Sequence, residues 1–352
     1  MFSTAPDASS GPPKVHFMSH TPYDVIGIGN AIVDVLARCE DSFLQDNKLA
    51  KGHMRLIDTA QADALYEIMG PAIEVSGGSA ANSMAGLASF GGSCAFIGKV
   101  ADDHLGEVFG HDLRAAGVTY QTRAAGEPGR PPTARCMILV TPDGERTMNT
   151  YLGTSVELGV GELDAQMIKD SRITYLEGYL FDPQDAKEAF VEAARIAGDA
   201  GRKVALSLSD GFCVDRHRAT FRALISSGVD ILFANEDELL SLYETLDFDE
   251  ACASVRTECE LVAVTRGALG SVIITPQERI LVPAEPVTEV VDTTGAGDLY
   301  AAGFLYGYAK DFELAKCGRL AALAASEIIS HMGARPEHNL RELAIEKGLL
   351  KS

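Results

Sequence analysis

From residue 172 onward, the pattern of apolar and polar positions changes period regularly along the chain. Short apolar runs rich in β-branched residues predict buried strands, and the amphipathic segments between them predict helices. Strands that alternate with helices form βαβ crossovers, so we expect a mainly parallel sheet with helices on both faces. The predicted strands are 172–177, 203–208, 229–234 and 260–265, and the predicted helices are 184–199, 215–226 and 235–244.

The two ends of the chain add further elements to this α/β pattern. "YDVIGIGN" predicts a buried strand at about 22–30, and "CAFIGKV" predicts another. The segment "LVAVTRGALGSVIITPQERILV" contains three strand-like runs, which we expect at one edge of the sheet. Further helices are predicted at 59–70, in "GGSAANSMAGLASFGG", at 104–116, at about 296–309 and at 312–330.

Two segments do not follow the alternation of strands and helices. Residues 33–58 are irregular and mixed, whereas 118–152 contain two strand-like runs joined by a hairpin turn at 142–145. No helix is predicted in 118–152, so we expect this segment to lie outside the main layers.

The N-terminal residues and the composition bear on the class of protein. Residues 1–20 contain several Ser and Pro and lack the charged and apolar regions of a signal peptide, which predicts a disordered tail. No apolar run approaches the roughly 18 residues needed to span a membrane. The formal net charge of −20 argues against a nucleic-acid or membrane-surface partner, and seven scattered cysteines without metal-site spacing indicate reduced thiols. We therefore expect a soluble, cytoplasmic protein that acts on small molecules.

The most informative stretch is "DTTGAGDLYAAGF", in which small residues precede an acid and a helix. The backbone at Gly295, Ala296 and Gly297 can approach a ligand closely and point N–H groups at it, and a helix N-terminus adds roughly half a positive charge. These features describe an anion site with Asp298 aimed into it. The alternative is a glycine-rich turn that packs a helix against the sheet, but such a turn has no use for a charge that is costly to bury. Asp292 fits turn capping as well as a role near a nucleotide or a cation.

Two further clusters can bind hydroxyl-bearing ligands. "GGSAAN" places Gly78, Ser79 and Asn82 at a helix start, where backbone and carboxamide can cradle a small molecule; helix capping with close packing is the alternative. "GNAIVD" places Asn30 and Asp34 beyond the carboxyl end of the first strand, where ligands of open α/β sheets bind. A carboxylate there can accept hydrogen bonds from both hydroxyls of a vicinal diol, as on ribose, or it is a solvated loop acid.

A third cluster opens a helix after another strand. In "ANEDE", Asn235 is followed three residues later by Glu238. Plain N-capping explains this pair. A hydrated Mg²⁺, held through water by the amide and the carboxylate, explains it as well.

Two apparent nucleotide motifs fail on inspection. "GIGNAI" lacks the third glycine of a dinucleotide fingerprint and is followed by an irregular segment instead of a helix. "GGSCAFIGKV" has five residues between Gly92 and Gly98 and has Val100 where a phosphate loop has Ser or Thr.

The two longest motifs resemble the signatures of one family. "GGSAANSMAGLASFGG" and "DTTGAGDLYAAGFL" are similar, in sequence and in order, to the two signatures of the PfkB, or ribokinase-like, carbohydrate and nucleoside kinases. The resemblance covers about residues 22–335. Within the family the chain is most similar to the adenosine kinases, because "GNAIVD" has their Asn-x-x-x-Asp spacing. The resemblance extends to the family's asparagine–glutamate motif at Asn235 and Glu238 and to a nucleotide-side loop at Thr265, Arg266, Gly267 and Gly270.

The resemblance implies a fold and an activity. The expected fold is a ribokinase-like three-layer sandwich over 21–352, with a mainly parallel central sheet, helices on both faces and a small β lid formed by about 33–58 and 118–153. The expected activity is phosphorylation of the 5′-hydroxyl of adenosine by ATP with Mg²⁺, in a monomer or a homodimer, and a requirement for a monovalent cation is left open. The alternatives are a kinase for another nucleoside or for a sugar such as ribose or fructose, and a binding protein without activity. Asp298 argues against the last of these.

The resemblance also implies roles for individual residues. Asp298 would be the general base, with the anion hole formed by Gly295, Ala296 and Gly297. The ribose would be held by Asn30, Asp34, Gly78, Ser79 and Asn82. The ATP side would comprise Asn235, Thr265, Arg266, Gly267, Gly270 and Gly297, with Asn235 and Glu238 organising Mg²⁺ through water.

Two segments are similar to those that cover the adenine in adenosine kinases. "LEGYLFDP" puts Leu180 or Phe181 near the base, and "LSLSDGFCV" does the same for Phe212. Arg146 is similar to a lid arginine that approaches the phosphates.

Overall fold

The computed structural model describes residues 22–127 and 129–351. Within these ranges the chain forms two sheets, one of nine strands and one of five. The predicted disordered tail over 1–20 lies outside the described residues. In the described part, no helix is both long enough and apolar enough to cross a membrane.

The elements follow one another in a largely alternating order. The strands are β1 (Tyr23–Ile28), β2 (Ile32–Arg38), β3 (Met54–Leu56), β4 (Ala72–Gly77), β5 (Cys94–Ile97), β6 (Thr119–Tyr120), β7 (Ala134–Val140), β8 (Arg146–Tyr151), β9 (Ser171–Glu177), β10 (Lys203–Ser207), β11 (Ile231–Asn235), β12 (Leu261–Thr265), β13 (Ser271–Ile274) and β14 (Arg279–Val282). The α-helices are α1 (Asp41–Asp46), α2 (Thr59–Ile68), α3 (Ser79–Ser89), α4 (His104–Ala115), α5 (Ala165–Lys169), α6 (Gln184–Asp199), α7 (Gly211–Gly228), α8 (Glu236–Tyr243), α9 (Phe248–Val255), α10 (Ala296–Ala309), α11 (Leu314–Ile328) and α12 (Leu340–Glu346).

The nine-stranded sheet has the order β14-β13-β12-β11-β10-β9-β1-β5-β6. Neighbouring strands from β12 to β6 are parallel, whereas β13 and β14 form an antiparallel edge. The chain leaves β1 toward β5 on one side and later returns to β9 on the other, so the strand order reverses between β1 and β9. Ligands of open α/β sheets bind in the crevice that such a reversal leaves at the carboxyl ends of the strands.

Helices cover both faces of this sheet. One face packs against α3, α4, α10 and α11 in one apolar core, and the other face packs against α5 to α9 in a second core. Successive side chains of a strand point to opposite faces, so in β1 Val25 enters the first core and Ile26 enters the second. The predicted three-layer α/β sandwich with a mainly parallel sheet is confirmed.

The five-stranded sheet has the order β3-β8-β7-β2-β4. On one face, Val33 and Val35 of β2 belong to the same core as Ala62 and Leu65 of α2. The opposite face of β2 carries Asp34. Four of its strands, β2, β3, β7 and β8, come from the two segments predicted to form a lid, and β4 joins them at the edge.

Several elements differ from the sequence-based expectations. The pattern does not predict β2 or β4, because Asp34 interrupts the apolar run of β2 and because β4 is short and carries Glu74 and Ser76 at alternate positions. It also does not predict β3, α1, α5, α9 and α12, and it starts α7 at 215 instead of Gly211. The expectation that all of 118–152 lies outside the main layers is wrong at its start, since β6 pairs with β5 at the edge of the large sheet.

The close approach of α10 and α11 gives a testable prediction. A Cβ at Gly303 of α10 would lie 2.5 Å from the carbonyl oxygen of Leu320 in α11. We therefore expect Gly303→Ala to lower the free energy of unfolding by about 1–3 kcal/mol, the range for overpacking, as measured by urea or thermal unfolding.

The matched control is Gly198→Ala, on an exposed position of α6, where a Cβ would meet nothing within 4 Å. Alanine is the better helix former, so this variant should gain up to about 1 kcal/mol. Equal losses in both variants would contradict a specific contact at Gly303.

Candidate active site

The strand reversal between β1 and β9 brings three segments together around one carboxylate. Glu177, at the end of β9, is 1% exposed. Its carboxylate accepts hydrogen bonds from Asn30 Nδ2 (2.8 Å), from the Asn30 N–H (3.3 Å) and from the Ala80 N–H in the first turn of α3 (2.8 Å). Burial raises the pKa of Glu177 to about 7 in spite of these donors. The sequence pattern does not single out Glu177, because one acid at a strand end carries no signal of its own.

Two glycines before α3 let the chain pass close to its neighbours. Gly78 has a φ of +91°, and a Cβ there would lie 2.3 Å from the carbonyl oxygen of Asn30. A Cβ at Gly77 would lie 2.5 Å from the carboxylate of Asp34. Asp34 is half-buried on β2, not in the loop after β1, so the alternative of a solvated loop acid is wrong.

Asp298 lies in the first turn of α10, opposite the first turn of α3. Its Oδ1 accepts a hydrogen bond from Ser79 Oγ (2.6 Å), and its Oδ2 accepts one from Asn82 Nδ2 (2.9 Å). Ser83 Oγ also donates to the main-chain carbonyl of Asp298 (2.9 Å). Burial raises the pKa of Asp298, and the two side-chain donors act in the opposite direction. The two longest motifs of the sequence therefore meet at one carboxylate.

The turn before Asp298 has the geometry expected of a ligand-facing loop. Gly295 has a φ of +79°, and a Cβ there would lie 3.0 Å from the Cβ of Ala334. A Cβ at Gly297 would meet nothing within 4 Å. The Ala296 N–H donates to the carbonyl of Thr293 (3.2 Å), so Ala296 does not provide a free donor. In residues 22–127 and 129–351, the N–H groups of Gly297 and Asp298 have no backbone acceptor, as is usual in the first turn of a helix.

Arg146 of β8 connects the small sheet with the loop before α10. Its Nη2 lies 2.9 Å from Asp292 Oδ2, and its Nη1 donates to Thr294 Oγ1 (3.2 Å). The side chains of this ion pair are only 8% and 6% exposed. The Asp292 carboxylate also accepts hydrogen bonds from the N–H groups of Thr294 and Gly333, both at 3.0 Å. Asp292 thus caps its own turn and binds Arg146, whose predicted approach to the phosphates stays a prediction.

Two arginines act on the carboxylate of Asp34. Burial raises the pKa of Asp34 to about 7, while the charges of Arg335 and Arg146 lower it and the charge of Asp298 raises it. Arg335 follows α11 in the chain, and the sequence pattern does not single it out. Its position becomes evident only when the two motif loops are assembled.

Asp34 shares its face of the small sheet with apolar side chains. The strand register places Leu36, Ile138 and Met148 in one row across β2, β7 and β8, next to the row of Asp34 and Cys136. Ile138 is buried, and the other two are partly buried against it. A flat apolar group can lie against this row while a polar group of the same ligand reaches Asp34. The sequence cannot reveal this row, because it is set by the pairing of strands that are distant in the chain.

The two segments expected to cover a base differ in accessibility. Leu180 is 0% and Phe181 is 1% exposed, and Phe181 stacks on Phe221 with ring centroids 4.5 Å apart. Both are core residues in this structure, so they do not present a surface to a base. Phe212, in the first turn of α7, is 74% exposed, and Tyr179, which the sequence analysis did not single out, is 37% exposed. Burial raises the pKa of the Tyr179 hydroxyl, as do the nearby carboxylates of Asp210 and Asp298.

The Asn235–Glu238 pair forms a complete capping box at the start of α8. The Asn235 side chain accepts from the Glu238 N–H (2.8 Å), and the Glu238 carboxylate accepts from the Asn235 N–H (2.9 Å) and Nδ2 (2.7 Å). Glu238 is 5% exposed, and burial raises its pKa to about 7, helped by the charges of Asp210 and Asp237. A buried carboxylate with acidic neighbours suits a nearby cation. Among the described residues no group of three or more His, Cys, Asp or Glu side chains could ligate a metal directly, so a cation here would be held through water and substrate.

The predicted nucleotide loop follows β12, the neighbour of β11 in the sheet. Thr265 ends β12, and Gly267 and Gly270 have φ values of +55° and +85°. A Cβ at Gly270 would lie 2.1 Å from the carbonyl oxygen of Val282, so this turn requires glycine. The guanidinium of Arg266 pairs with both carboxylate oxygens of Glu236 (2.7 and 2.9 Å), which fixes it to the start of α8.

Comparison with known proteins gives relatives that cover nearly the whole chain. A solved structure described as a probable sugar kinase from Rhizobium etli CFN 42 is 53% identical, with a TM-score of 0.88, and covers 94% of this chain and 100% of its own. The crystal structure of adenosine kinase from Sinorhizobium meliloti is 54% identical, with a TM-score of 0.86 and coverage of 93% and 99%. The ATP-dependent ribose-1-phosphate kinase of Halopiger xanaduensis is 32% identical over 298 residues, which are 82% of this chain and 93% of that protein.

A family model supports the same relationship. The model for the pfkB family of carbohydrate kinases matches residues 73–339, which include both glycine-rich motifs and every strand from β5 to β14. The match spans well over half of the chain, and the relatives named above are kinases by description. The chain therefore belongs to the pfkB family of carbohydrate kinases and is an ATP-dependent phosphotransferase.

Proposed function

We propose that the protein transfers the γ-phosphoryl group of ATP to the 5′-hydroxyl of adenosine, giving AMP and ADP. The observation that carries this proposal is the meeting of Asp298, Ser79 and Asn82 at the start of α10, with Asp34 on the neighbouring sheet. Adenosine is favoured over other acceptors by the 54% identity with the adenosine kinase of Sinorhizobium meliloti.

In this proposal Asp298 is the general base. Its carboxylate accepts the proton of the 5′-hydroxyl as the hydroxyl oxygen bonds to the γ-phosphorus, and the bond from that phosphorus to the ADP oxygen breaks. The N–H groups of Gly297 and Asp298, at the positive end of α10, stabilise the charge on the phosphoryl oxygens. Gly295 forms the turn before α10. The N–H of Ala296 is used within that turn, so Ala296 supports the proposed anion hole by its place in the turn and not by a hydrogen bond to the phosphoryl group.

The ribose is proposed to bind between Asp34 and the first turn of α3. Asn82 Oδ1 and Asn30 Oδ1 are buried and have no hydrogen-bond partner among the described residues, so each can accept from a substrate hydroxyl. Ionised Asp34 can accept from two hydroxyls at once. Gly78 has no side chain, so the ribose ring can approach the backbone of the turn before α3. Ser79 holds Asp298 in place by a hydrogen bond.

The base is proposed to lie between the apolar row beside Asp34 and the exposed ring of Phe212. The row of Leu36, Ile138 and Met148 supplies one apolar surface, and an aromatic ring supplies stacking on the other side. A sugar without a base would leave both surfaces exposed to water.

The nucleotide side is proposed to include Asn235, Thr265, Arg266, Gly267, Gly270 and Gly297. Asn235 and Glu238 would organise Mg²⁺ through water, and the ion would neutralise charge on the phosphates when bound. The buried, acidic surroundings of Glu238 support this role. A requirement for a monovalent cation stays open in this proposal, as does the choice between monomer and homodimer.

The small sheet is proposed to act as a lid over the acceptor site. It carries Asp34 and Arg146, and the Arg146–Asp292 ion pair connects it with the loop before α10. We also propose a cytoplasmic location. All seven cysteines lie in the described residues and are free, which suits a reducing compartment.

A sugar or sugar phosphate is the alternative acceptor. The 32% identity with a ribose-1-phosphate kinase and the probable sugar kinase from Rhizobium etli favour it. A panel of nucleosides, free sugars and sugar phosphates, assayed for ATP consumption, separates the two. A higher kcat/KM for ribose, fructose or ribose 1-phosphate than for adenosine would refute the adenosine assignment and leave the kinase activity standing.

The first prediction from this site concerns Asp298 as the general base. Asp298→Asn keeps the shape of the side chain but removes the proton acceptor, so kcat should fall by roughly two to four powers of ten with little change in the KM for the acceptor. Asp46→Asn, at an exposed position of α1, is the matched control and should leave kcat unchanged. Near-normal turnover in Asp298→Asn would exclude Asp298 as the base.

The second prediction concerns the proposed pocket for the adenine. Phe212→Ala should remove roughly 1–3 kcal/mol of stacking and lower kcat/KM for adenosine about ten- to a hundredfold. Phosphorylation of ribose, where it occurs, should barely change. Leu246→Ala, at a 98% exposed apolar residue, is the control for loss of surface apolar area. Similar losses for adenosine and ribose in Phe212→Ala would argue against a stacked base.

The third prediction concerns pH. Asp34 and Asp298 act as acceptors only when ionised, and burial raises the pKa of both, to about 7 for Asp34. At saturating MgATP, protonation of these carboxylates should therefore lower kcat/KM for the acceptor as the pH falls through about 7. A profile that stays flat down to pH 5 would show that neither carboxylate titrates in the neutral range.

A further inference from the structure

Arg335 lies on a segment that touches both motif loops of the site. The Gly333 N–H donates to Asp292 (3.0 Å), and the backbone and side chain of Ala334 lie against Gly295. The next residue, Arg335, reaches the other loop. The segment 333–335 therefore joins the turn before α10 to the turn before α3.

The guanidinium of Arg335 holds the two ends of the α3 turn. Its Nε donates to the carbonyl of Ser76 (3.1 Å), its Nη2 donates to Ser76 Oγ (3.1 Å) and its Nη1 donates to the carbonyl of Ala81 (2.6 Å). Between these anchor points lie Gly77, which leaves space for Asp34, and Ser79, which donates to Asp298. Asn82, the other donor to Asp298, follows Ala81 directly. These hydrogen bonds thus set the position of the groups that contact both carboxylates.

All three acceptors of this guanidinium are uncharged. A charge that is removed from water is usually paired. Arg335 is partly buried, and in the described part of the chain no carboxylate forms an ion pair with it. Its charge is therefore not neutralised at contact distance. The anionic groups on which it acts are Asp34, Asp298 and Asp112.

We propose that Arg335 is a positioning residue for phosphoryl transfer, which holds the 76–82 segment against the loop before α10 and supplies an unpaired positive charge near the carboxylates of Asp34 and Asp298. The proposal rests on the proposed function, in which these carboxylates bind the acceptor and take its proton. Arg335 is not a substrate contact. It lines a cavity of about 540 Å³ between α3, α4 and 335–339, and none of Asp34, Ser79 or Asp298 lines that cavity.

The electrostatic surroundings agree with this role. Arg335 lowers the pKa of Asp34 and of Asp298, against the effect of burial, and burial lowers the pKa of Arg335 itself to about 10. Loss of its charge would therefore raise the pKa of both carboxylates. The other charged or titratable groups that face these carboxylates are Arg146 and Cys136 toward Asp34, and Tyr175, Glu177 and Tyr179 toward Asp298.

The test compares the pH dependence of kcat/KM in three variants of the full chain with that of the wild type. Arg335→Met removes both the charge and the hydrogen bonds. The acid limb of its profile, which is the fall of kcat/KM at low pH, should move to higher pH by about one unit. The ratio of the wild-type kcat/KM to that of Arg335→Met should therefore be about tenfold smaller at pH 9 than at pH 6. Arg335→Lys keeps the charge but cannot bond all three acceptors, so it should lose activity at every pH with its acid limb near that of the wild type.

The matched control is Arg256→Met. Arg256 also donates to backbone carbonyls, those of Thr275 (3.0 Å) and Pro276 (2.7 Å), but at the far end of β13. Its loss should lower the thermal midpoint without moving the acid limb. If Arg335→Met does not fold, Arg335→Gln, which keeps an amide donor without charge, takes its place with the same expected shift.

The outcomes separate this proposal from the proposed function. The profile is measured with whichever acceptor the wild type phosphorylates best, so failure of adenosine as a substrate leaves the test intact. An acid limb in Arg335→Met that coincides with the wild type, or one that moves equally in Arg335→Lys, would overturn the electrostatic role. A shift confined to the uncharged variants supports it.

Discussion

The carboxylate of Asp298 is buried close to those of Asp34 and Glu177, where a negative charge is poorly solvated, and much of the surrounding structure stabilises the charge on these three groups by hydrogen bonds or by nearby positive charge. Burial raises the pKa of all of them. Glu177 accepts from the backbone N–H groups of Asn30 and Ala80, and Asp298 accepts from the side chains of Ser79 and Asn82. Within the described residues, the charges of Arg335 and Arg146 lower the pKa of Asp34 without a hydrogen bond to it. Carboxylates whose negative charge is only partly neutralised remain good proton and hydrogen-bond acceptors. Phosphoryl transfer to a hydroxyl requires such acceptors.

The reversal of strand order makes this crowding possible. β1 lies between β5 and β9, so helices that follow neighbouring strands start at the same crevice without covering it. Glycine at 77, 78 and 295 then lets backbone segments approach to distances that a side chain would forbid. The smaller sheet adds Asp34 and an apolar row from a separate layer, so the proposed acceptor site combines groups from both sheets around Asp298.

The sequence indicated the class of fold and the two loops at the centre of the site, because both depend on local signals. The strand–helix alternation predicts the large sheet, and glycine-rich turns before a helix with an acid predict the meeting place of ligand and backbone. Asp34 was expected just beyond the end of the first strand and not on a strand of its own, because its charge interrupts the apolar run of β2 and the residues after it have no regular pattern. Glu177 and Arg335 have no local signal, as their roles arise only from contacts with residues about a hundred or more positions away. The resemblance put Leu180 or Phe181 near the base, but a sequence motif does not tell whether an apolar side chain faces a ligand or the core, and both are buried in the core.

The buried pair of Arg146 and Asp292 has a consequence for motion. Each side chain is less than a tenth exposed, so moving the small sheet away would leave two charges facing each other across a widening, poorly hydrated gap. Water has to enter that gap before the separation becomes favourable, which creates a barrier near the start of opening. Salt in the surrounding solution screens such a contact poorly while it is closed. Under the proposal that the small sheet is a lid, the rate of product release would then follow the hydration of one ion pair and would depend more on temperature than on ionic strength.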